Sequence, residues 1–424
     1  MKVLVIGGGG REHAMVRALA TTLDQDSLFI APGNPGTAAL ATNLDISASD
    51  LDSLVSWARD NDISLVIPGP EQPLVDGIAD KFKSAGIACC GPQASAARLE
   101  GSKIFTRQVT TAVKVPAPEF AIVKTHEELD EALNNWKSGL PVIKADGLAA
   151  GKGVFLPEAM EECRTIGHEL LDGKLGEASK ELLLEERLFG IEASLFFACN
   201  GREAVALPHA RDHKRLNDND EGPNTGGMGA ISPNPIITDE LLDGIVESTI
   251  QPTLKALDDN DASFVGFLFA GFMLTKDGPK LLEYNVRLGD PEAQAILPRL
   301  EDGEFLRLCL ATAKGNLEGF KLEVRDEHTC AVVVTAAGYP DATRKGDSIS
   351  VDEELESENR WLIHAGTKLE DATLLTNGGR VAAIVARAPS TQEAITQSYD
   401  GLPSVKFDGK HYRTDIGANK EGSL

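Results

Sequence analysis

The segment Leu281-Leu282-Glu283-Tyr284-Asn285-Val286-Arg287-Leu288-Gly289-Asp290-Pro291-Glu292 carries the strongest chemical signal in the chain. Side chains alternate along a strand, so Glu283, Asn285 and Arg287 share one face and apolar residues take the other. Three polar groups on one strand face suit a site; the plainer alternative is a solvated face with an ion pair. A carboxylate and an amide oxygen are hard ligands suited to Mg²⁺, which also takes substrate phosphates. Arg287 can steady a transferring phosphoryl group or grip a carboxylate with both arms of its fork.

Three further segments have the types and spacing for chemistry. Residues 141–154 place Lys144 at the end of a β-type run, then a small-residue loop, then Gly151-Lys152 before a second run at Val154–Leu156. Such a loop lets backbone N–H groups approach phosphate, with two lysines supplying charge; it also fits an ordinary hairpin with surface lysines. No Walker sequence is present. Leu182–Glu192 runs from an apolar strand through Glu185-Glu186 to a turn and Glu192. That hinge can serve a nucleotide base and ribose, or be a simple charged turn. Asp212-His213-Lys214-Arg215 precedes Gly222-Pro223-Asn224-Thr225-Gly226-Gly227-Met228-Gly229-Ala230, and loops this rich in glycine usually serve a site. His213 alone reads more simply as a hydrogen-bonded structural histidine. At the N-terminus, Gly7–Gly10 and Glu12 match only part of a dinucleotide fingerprint. The glycines allow either an anion at the following helix or a purely structural turn.

The elements that must position these residues follow from pattern. Val3–Ile6, Leu28–Ile30, Leu65–Ile67 and Ile87–Cys90 are apolar runs that each end in a Gly/Pro loop, with helical stretches between. That is a parallel α/β sheet with its ligand crevice at the carboxyl ends of the strands. The stretch Leu99–Lys103 reads as a junction. Beyond Leu317, strands at Ala331–Ala336, Trp361–Ala365 and Val381–Ala386, with a hairpin-like turn at Thr376–Arg380, read as a separate α+β domain.

The 424 residues imply about three domains of roughly 150 residues each. A net charge of −24 excludes a general nucleic-acid binder and an anionic membrane surface as partners. No apolar run reaches the length of a membrane helix, and the first residues do not read as a signal peptide. Six cysteines lack metal-site spacing, so free buried thiols in a reducing cytoplasm are expected.

Taken together, Gly9–Ala14, Ala31–Asn34, Gly69–Glu71, Leu99–Lys103, Ile143–Val154, Asp212–Arg215, Gly222–Ala230 and Arg287–Glu292 resemble the ATP-grasp superfamily, and within it the glycinamide ribonucleotide synthetases. The departures are Arg211, Val286 and Leu288, where a neutral residue, Cys and Phe are commoner. The resemblance implies an N-terminal parallel α/β domain over 1–102, an ATP-grasp domain over 103–315 with a lid at about 116–190, and a small α+β domain over 316–424. It implies a ligase that joins glycine to 5-phosphoribosylamine through a glycyl phosphate, using ATP and Mg²⁺ or Mn²⁺, and working as a cytoplasmic monomer. Lys103, Lys144, Gly151 and Lys152 would contact or frame ATP phosphates. Glu185, Glu186 and Leu188 would flank adenine, with Glu192 on the ribose. Glu283 and Asn285 would hold the metal. Arg287, Lys152 and Asp212 would be catalytic. Gly9, Arg11, Glu12, Asp212, Lys214, Asn224, Thr225, Gly226, Gly289, Asp290, Pro291 and Glu292 would hold glycine or phosphoribosylamine. The nearest rival is another ATP-grasp ligase, such as a carboxylase of a purine intermediate. A nucleotide-binding regulatory protein and a dinucleotide oxidoreductase are the more distant ones.

Overall fold

The computed structural model describes residues 1–149 and 153–418. The chain opens with β1 (Val3–Gly7), α1 (Gly10–Leu19), β2 (Leu28–Pro32), β3 (Thr42–Asn43), α2 (Leu51–Asp60), β4 (Leu65–Pro68), α3 (Glu71–Val75), α4 (Ile78–Ser84), β5 (Ala88–Cys89), α5 (Ala94–Gly101) and α6 (Lys103–Ala112). The strands form one parallel sheet in the order β3-β2-β1-β4-β5. Val3, Val5, Leu28 and Ile30 enter one core, while Leu4, Ile6 and Val66 enter another on the opposite face. Both faces are covered, which is why β1, β2, β4 and β5 read as unbroken apolar runs rather than alternating ones, while the edge strand β3 is the polar, partly exposed pair Thr42–Asn43.

A small unit with its own core follows. It holds β6 (Phe120–Val123), α7 (His126–Asn135), β7 (Val142–Ala145), β8 (Val154–Phe155), α8 (Met160–Glu169) and β9 (Leu182–Glu185). Its strands are antiparallel, in the order β6-β9-β7-β8. Next come β10 (Ile191–Asn200), β11 (Glu203–Ala206), β12 (Arg211–Asp212), β13 (Arg215–Asn217), β14 (Glu221–Asn224), β15 (Gly229–Ser232), α9 (Asp239–Ile245), α10 (Gln251–Asp258), β16 (Val265–Thr275) and β17 (Gly278–Asn285). The strand carrying Glu283 and Asn285 lies at the edge of a four-stranded antiparallel sheet, β11-β10-β16-β17.

The remainder comprises α11 (Glu292–Ile296), α12 (Glu304–Lys314), β18 (His328–Thr335), β19 (Ser350–Val351), β20 (Arg360–His364), β21 (Thr367–Glu370), β22 (Thr373–Thr376), β23 (Arg380–Ala388), α13 (Thr391–Gly401) and β24 (Val405–Lys406). Its main sheet runs β12-β15-β18-β23-β20. Two of those strands flank the glycine-rich loop of residues 222–230, so chain on both sides of residue 316 shares one sheet. The turn at Thr376–Arg380 is not a hairpin: β22 pairs with β21, and β23 pairs with β18 and β20. Glycine there serves close packing instead, since a Cβ on Gly378 would sit 2.9 Å from the Gly366 Cα. All six cysteines are free and buried. Among the described residues no helix is long and apolar enough to cross a membrane.

Candidate active site

The apolar alternation expected along residues 281–287 is broken once. Glu283 pairs with Gly271, yet Leu281 pairs with Phe272, which leaves Leu282 as a bulge. Leu281, Tyr284 and Val286 are consequently buried while Leu282 is half-exposed. The bulge is held from α6. Arg107 donates to the carbonyls of Leu281 (3.2 Å) and Leu282 (2.8 Å). Its Nε also bonds Glu185, whose second oxygen takes Lys144 Nζ at 2.6 Å. One buried arginine thus ties together the strands of Glu283, Glu185 and Lys144. The Glu185 carboxylate is committed to those cations.

Glu283 sits among charges of the opposite sign. Burial pushes its carboxyl up, but Lys214, Lys144, Lys103 and Arg287 outweigh burial and hold it below the ordinary range. Among the described residues the Glu283 carboxylate has no hydrogen bond or ion pair, so its oxygens stay open for a ligand. Asn285 Oδ1 accepts only a long bond from Arg287 Nη2, at 3.3 Å. No described group of three or more His, Cys, Asp or Glu side chains stands ready to cage a metal. One carboxylate and one amide oxygen nevertheless fit a cation such as Mg²⁺, which retains water and takes phosphate oxygens for the rest of its shell.

Lys103 opens α6, and its position is fixed by the loop after β7. Ser102 caps the helix, accepting from Phe105 N at 3.0 Å. The Asp146 carboxylate accepts from Ser102 Oγ (2.9 Å) and Ile104 N (2.8 Å), placing negative charge at the helix start. Lys103 Nζ donates to Gly147 O at 3.2 Å. Gly151 and Lys152, expected in the same loop, lie outside the described residues. Glu186 pairs with Lys280 at 3.2 Å. Leu188 lies half-buried in the link from β9 to β10, and Glu192, on β10, pairs with Lys214 at 2.8 Å.

Arg287 faces the N-terminal sheet. Its Nη2 meets Glu100 Oε1 at 2.8 Å and its Nε meets Glu71 Oε2 at 3.2 Å. The other Glu100 oxygen accepts from Val286 N at 2.8 Å. Burial raises the Glu100 carboxyl to about 7, with Arg287 opposing the rise. Glu71 and Glu100 were visible in Gly69-Pro70-Glu71 and Leu99-Glu100-Gly101, but their role was not. The turn at Gly7–Gly10 is filled from within. Glu12 accepts from Gly9 N at 2.7 Å and from Arg11 Nε at 2.7 Å. A Cβ on Gly69 would fall 2.1 Å from Glu12 Oε1. The glycines there make room for Glu12, and Arg11 reaches on to Leu288 O at 3.2 Å.

The loops on the other side converge on two acids. Burial, then Glu292, pushes the Asp212 carboxyl well above its usual range, with Lys214 opposing. Burial raises Glu292 too. Lys214 is the reverse case: burial lowers it, yet Glu192, Glu283 and Asp212 together raise it. Thr225 Oγ1 bonds Lys214 O and accepts from Gly227 N, which folds the glycine loop over the lysine. Gly227 (φ +111°) is required there, because a Cβ would lie 2.3 Å from Pro291 Cδ and 2.8 Å from Asp212 Oδ1. A Cβ on Gly289 would lie 2.3 Å from Glu292 Oε2. Asn224 ends the exposed strand β14 at the rim. Asp290 takes Gln294 Nε2 at 2.7 Å and Arg380 Nη2 at 3.3 Å. Arg107 and Arg380 had no recognisable signal in the sequence, since each is a lone arginine in an otherwise ordinary element.

Family models match nearly the whole chain. They are described as phosphoribosylglycinamide synthetase, N domain (residues 1–100), ATP-grasp (A) domain (101–293) and C domain (329–419). The chain is 42% identical to a phosphoribosylamine–glycine ligase of Brucella melitensis, covering 98% of this chain and 97% of that protein. It is 41% identical to one of Caldanaerobacter subterraneus, covering 99% and 100%. The crystal structure of a phosphoribosylamine–glycine ligase from Thermotoga maritima superposes with a TM-score of 0.85 at 34% identity, covering 98% and 100%. A biotin carboxylase from Campylobacter jejuni shares the fold, with a TM-score of 0.71 at 12% identity, covering 97% and 92%.

Proposed function

The chain belongs to the phosphoribosylglycinamide synthetase family, and on that premise we propose that it joins glycine to 5-phosphoribosylamine at the expense of ATP. The products are glycinamide ribonucleotide, ADP and phosphate. The observation that carries the reading is the Glu283 carboxylate, without a hydrogen bond or ion pair among the described residues and set among Lys214, Lys144, Lys103 and Arg287. A triphosphate carries the charge that such a cluster of cations accepts.

Lys103 and Lys144 take the phosphates, and Lys152 joins them in the proposal from the loop after β7. Burial lowers the Lys103 ammonium, and Glu283 counters part of that fall. Glu283 and Asn285 would hold a divalent cation, Mg²⁺ or Mn²⁺. When bound, that cation neutralises charge on the phosphate oxygens. A glycine carboxylate oxygen attacks the γ-phosphorus, the bond to the β–γ bridging oxygen breaks, and ADP leaves. Arg287 balances charge on the equatorial oxygens during that transfer. Its two carboxylate partners, the half-buried Glu71 and the buried Glu100, keep the guanidinium from swinging away.

The second step needs an amine rather than an anion. Burial raises the proton affinity of both Asp212 and Glu292, with Glu292 adding to the rise at Asp212 and Asp290 to that at Glu292, so a substrate ammonium or amine is the group that relieves them. The amine nitrogen attacks the glycyl carbonyl and phosphate leaves with the oxygen that bound it. The nitrogen then gives up a proton, and Asp212, whose proton affinity burial and Glu292 raise, is the base assigned to take it. Glu185, Glu186, Leu188 and Glu192 border the nucleotide end. Gly9, Arg11, Glu12, Lys214, Asn224, Thr225, Gly226, Gly289, Asp290 and Pro291 border the acceptor end. The proposed catalytic unit is a monomer. The small unit of β6–β9 closes over ATP and keeps water from the acyl phosphate.

The test is ADP release with ATP and Mg²⁺, adding glycine and phosphoribosylamine separately and together. Turnover that needs both supports the ligase. Turnover indifferent to glycine rejects it.

A further inference from the structure

The Gly226 peptide is gripped from the loop after β18 and from the start of β23. Its N–H donates to the Tyr339 hydroxyl at 3.1 Å, and its carbonyl accepts from Arg380 Nη1. The same Nη1 donates to the Asp290 carbonyl, while Nη2 lies 3.3 Å from Asp290 Oδ2. One guanidinium therefore spans two loops far apart in sequence, the glycine loop after β14 and the link from β17 to α11. Neighbouring groups transmit the grip. Thr225 is bonded to Lys214, and Gly227 packs against Asp212 and Pro291. Tyr339 is seated beside Arg380 because Gly379 lacks a side chain: a Cβ there would lie 2.2 Å from the tyrosine ring.

We propose that Arg380, with Tyr339 as its counterpart, is a positioning residue for the amine acceptor, clamping the loops of Gly226 and Asp290 into one binding edge. The proposal rests on the ligase reading and assigns the C-terminal domain a part in the second step only. The ATP end is built by α6, β7, β9 and β17, none of which Arg380 touches among the described residues. A planar fork is needed, because a lysine ammonium is a single point charge that cannot serve two carbonyls and a carboxylate at fixed angles.

The experiment measures KM separately for ATP, glycine and phosphoribosylamine in the full-length wild type, Arg380→Gln, Arg380→Lys and Tyr339→Phe. For Arg380→Gln, the KM for phosphoribosylamine rises about ten- to hundredfold, the worth of a lost charged hydrogen bond. The KM values for ATP and glycine stay within about twofold. Arg380→Lys recovers only part of the loss. Tyr339→Phe, which removes a single oxygen, moves the same constant by about three- to tenfold. A uniform shift of all three constants, or no shift in Arg380→Gln and Tyr339→Phe, overturns the clamp. If Arg380→Gln does not fold, Tyr339→Phe alone decides. A wild type that needs neither glycine nor the amine for turnover overturns the ligase reading, and the clamp with it.

Discussion

Replacing Glu185 with glutamine keeps the side-chain shape and removes one charge from a buried triad. Arg107 is 1% exposed, Glu185 2% and Lys144 8%, so solvent screens little of the attraction among them. In the wild type one carboxylate answers two cations, through the Arg107 bond and the 2.6 Å contact to Lys144. In Glu185→Gln Arg107 stays buried without an answering charge, and Lys144 loses its ion pair and keeps only the charge of Glu283. Breaking a buried pair from one side costs about 3–5 kcal/mol, and that is the expected loss. A protein of several domains does not unfold in two states, so a local probe is needed. Trp136 packs against the core under β9, and the other tryptophans are Trp57 and Trp361. Urea unfolding followed by fluorescence in a Trp57→Phe, Trp361→Phe background therefore reports this region. The pH dependence has a definite sign. Burial raises the Glu185 carboxyl, but Lys144 and Arg107 outweigh burial and hold it below its ordinary 4.5. A depressed native value means that the stabilisation is present above pH 4.5 and is lost as the pH falls below it. The gap between wild type and Glu185→Gln therefore closes in acid. A gap under about 1 kcal/mol at neutral pH, or one that widens in acid, refutes the reasoning.

Glu283→Gln retains the fold and lowers turnover at least about a hundredfold, because a charged ligand to cation and lysines becomes neutral. Circular dichroism beside the ADP-release assay checks both halves, and a fully active variant removes Glu283 from the site. Gly227→Ala forces a side chain into a φ of +111° and against Pro291 and Asp212. It destabilises the chain by about 1–3 kcal/mol and raises the KM for phosphoribosylamine while leaving that for ATP in place. Thermal unfolding and steady-state kinetics read the two effects.

Where an element is local, its pattern was legible. In the N-terminal parallel sheet β1, β2, β4 and β5 announced themselves as apolar runs ending in Gly/Pro loops, whereas the edge strand β3, the polar pair Thr42–Asn43, gave no sign. Glu283 and Asn285 announced themselves because polar groups repeat at the strand period, although the bulge at Leu282 and the end of β17 at Asn285, before Arg287, gave no sign. Long-range pairings were hidden. Nothing near Arg107 says that its partners are the carbonyls of Leu281 and Leu282, more than 170 residues away. The strands β12 and β15 bracket the glycine loop, but the other partner of β15, β18, lies almost a hundred residues on. Thr376–Arg380 looked like a hairpin because two glycines sit between apolar runs. Those glycines instead admit Gly366 and the Tyr339 ring, and deliver Arg380 to the acceptor loops.

The chemical path is open to one isotopic measurement. Glycine labelled with oxygen-18 in both carboxylate positions is turned over with ATP and phosphoribosylamine, and the released phosphate is analysed by mass. Attack of the carboxylate on the γ-phosphorus predicts one labelled oxygen in each phosphate formed. Phosphate free of label would contradict a glycyl phosphate and the account built on it.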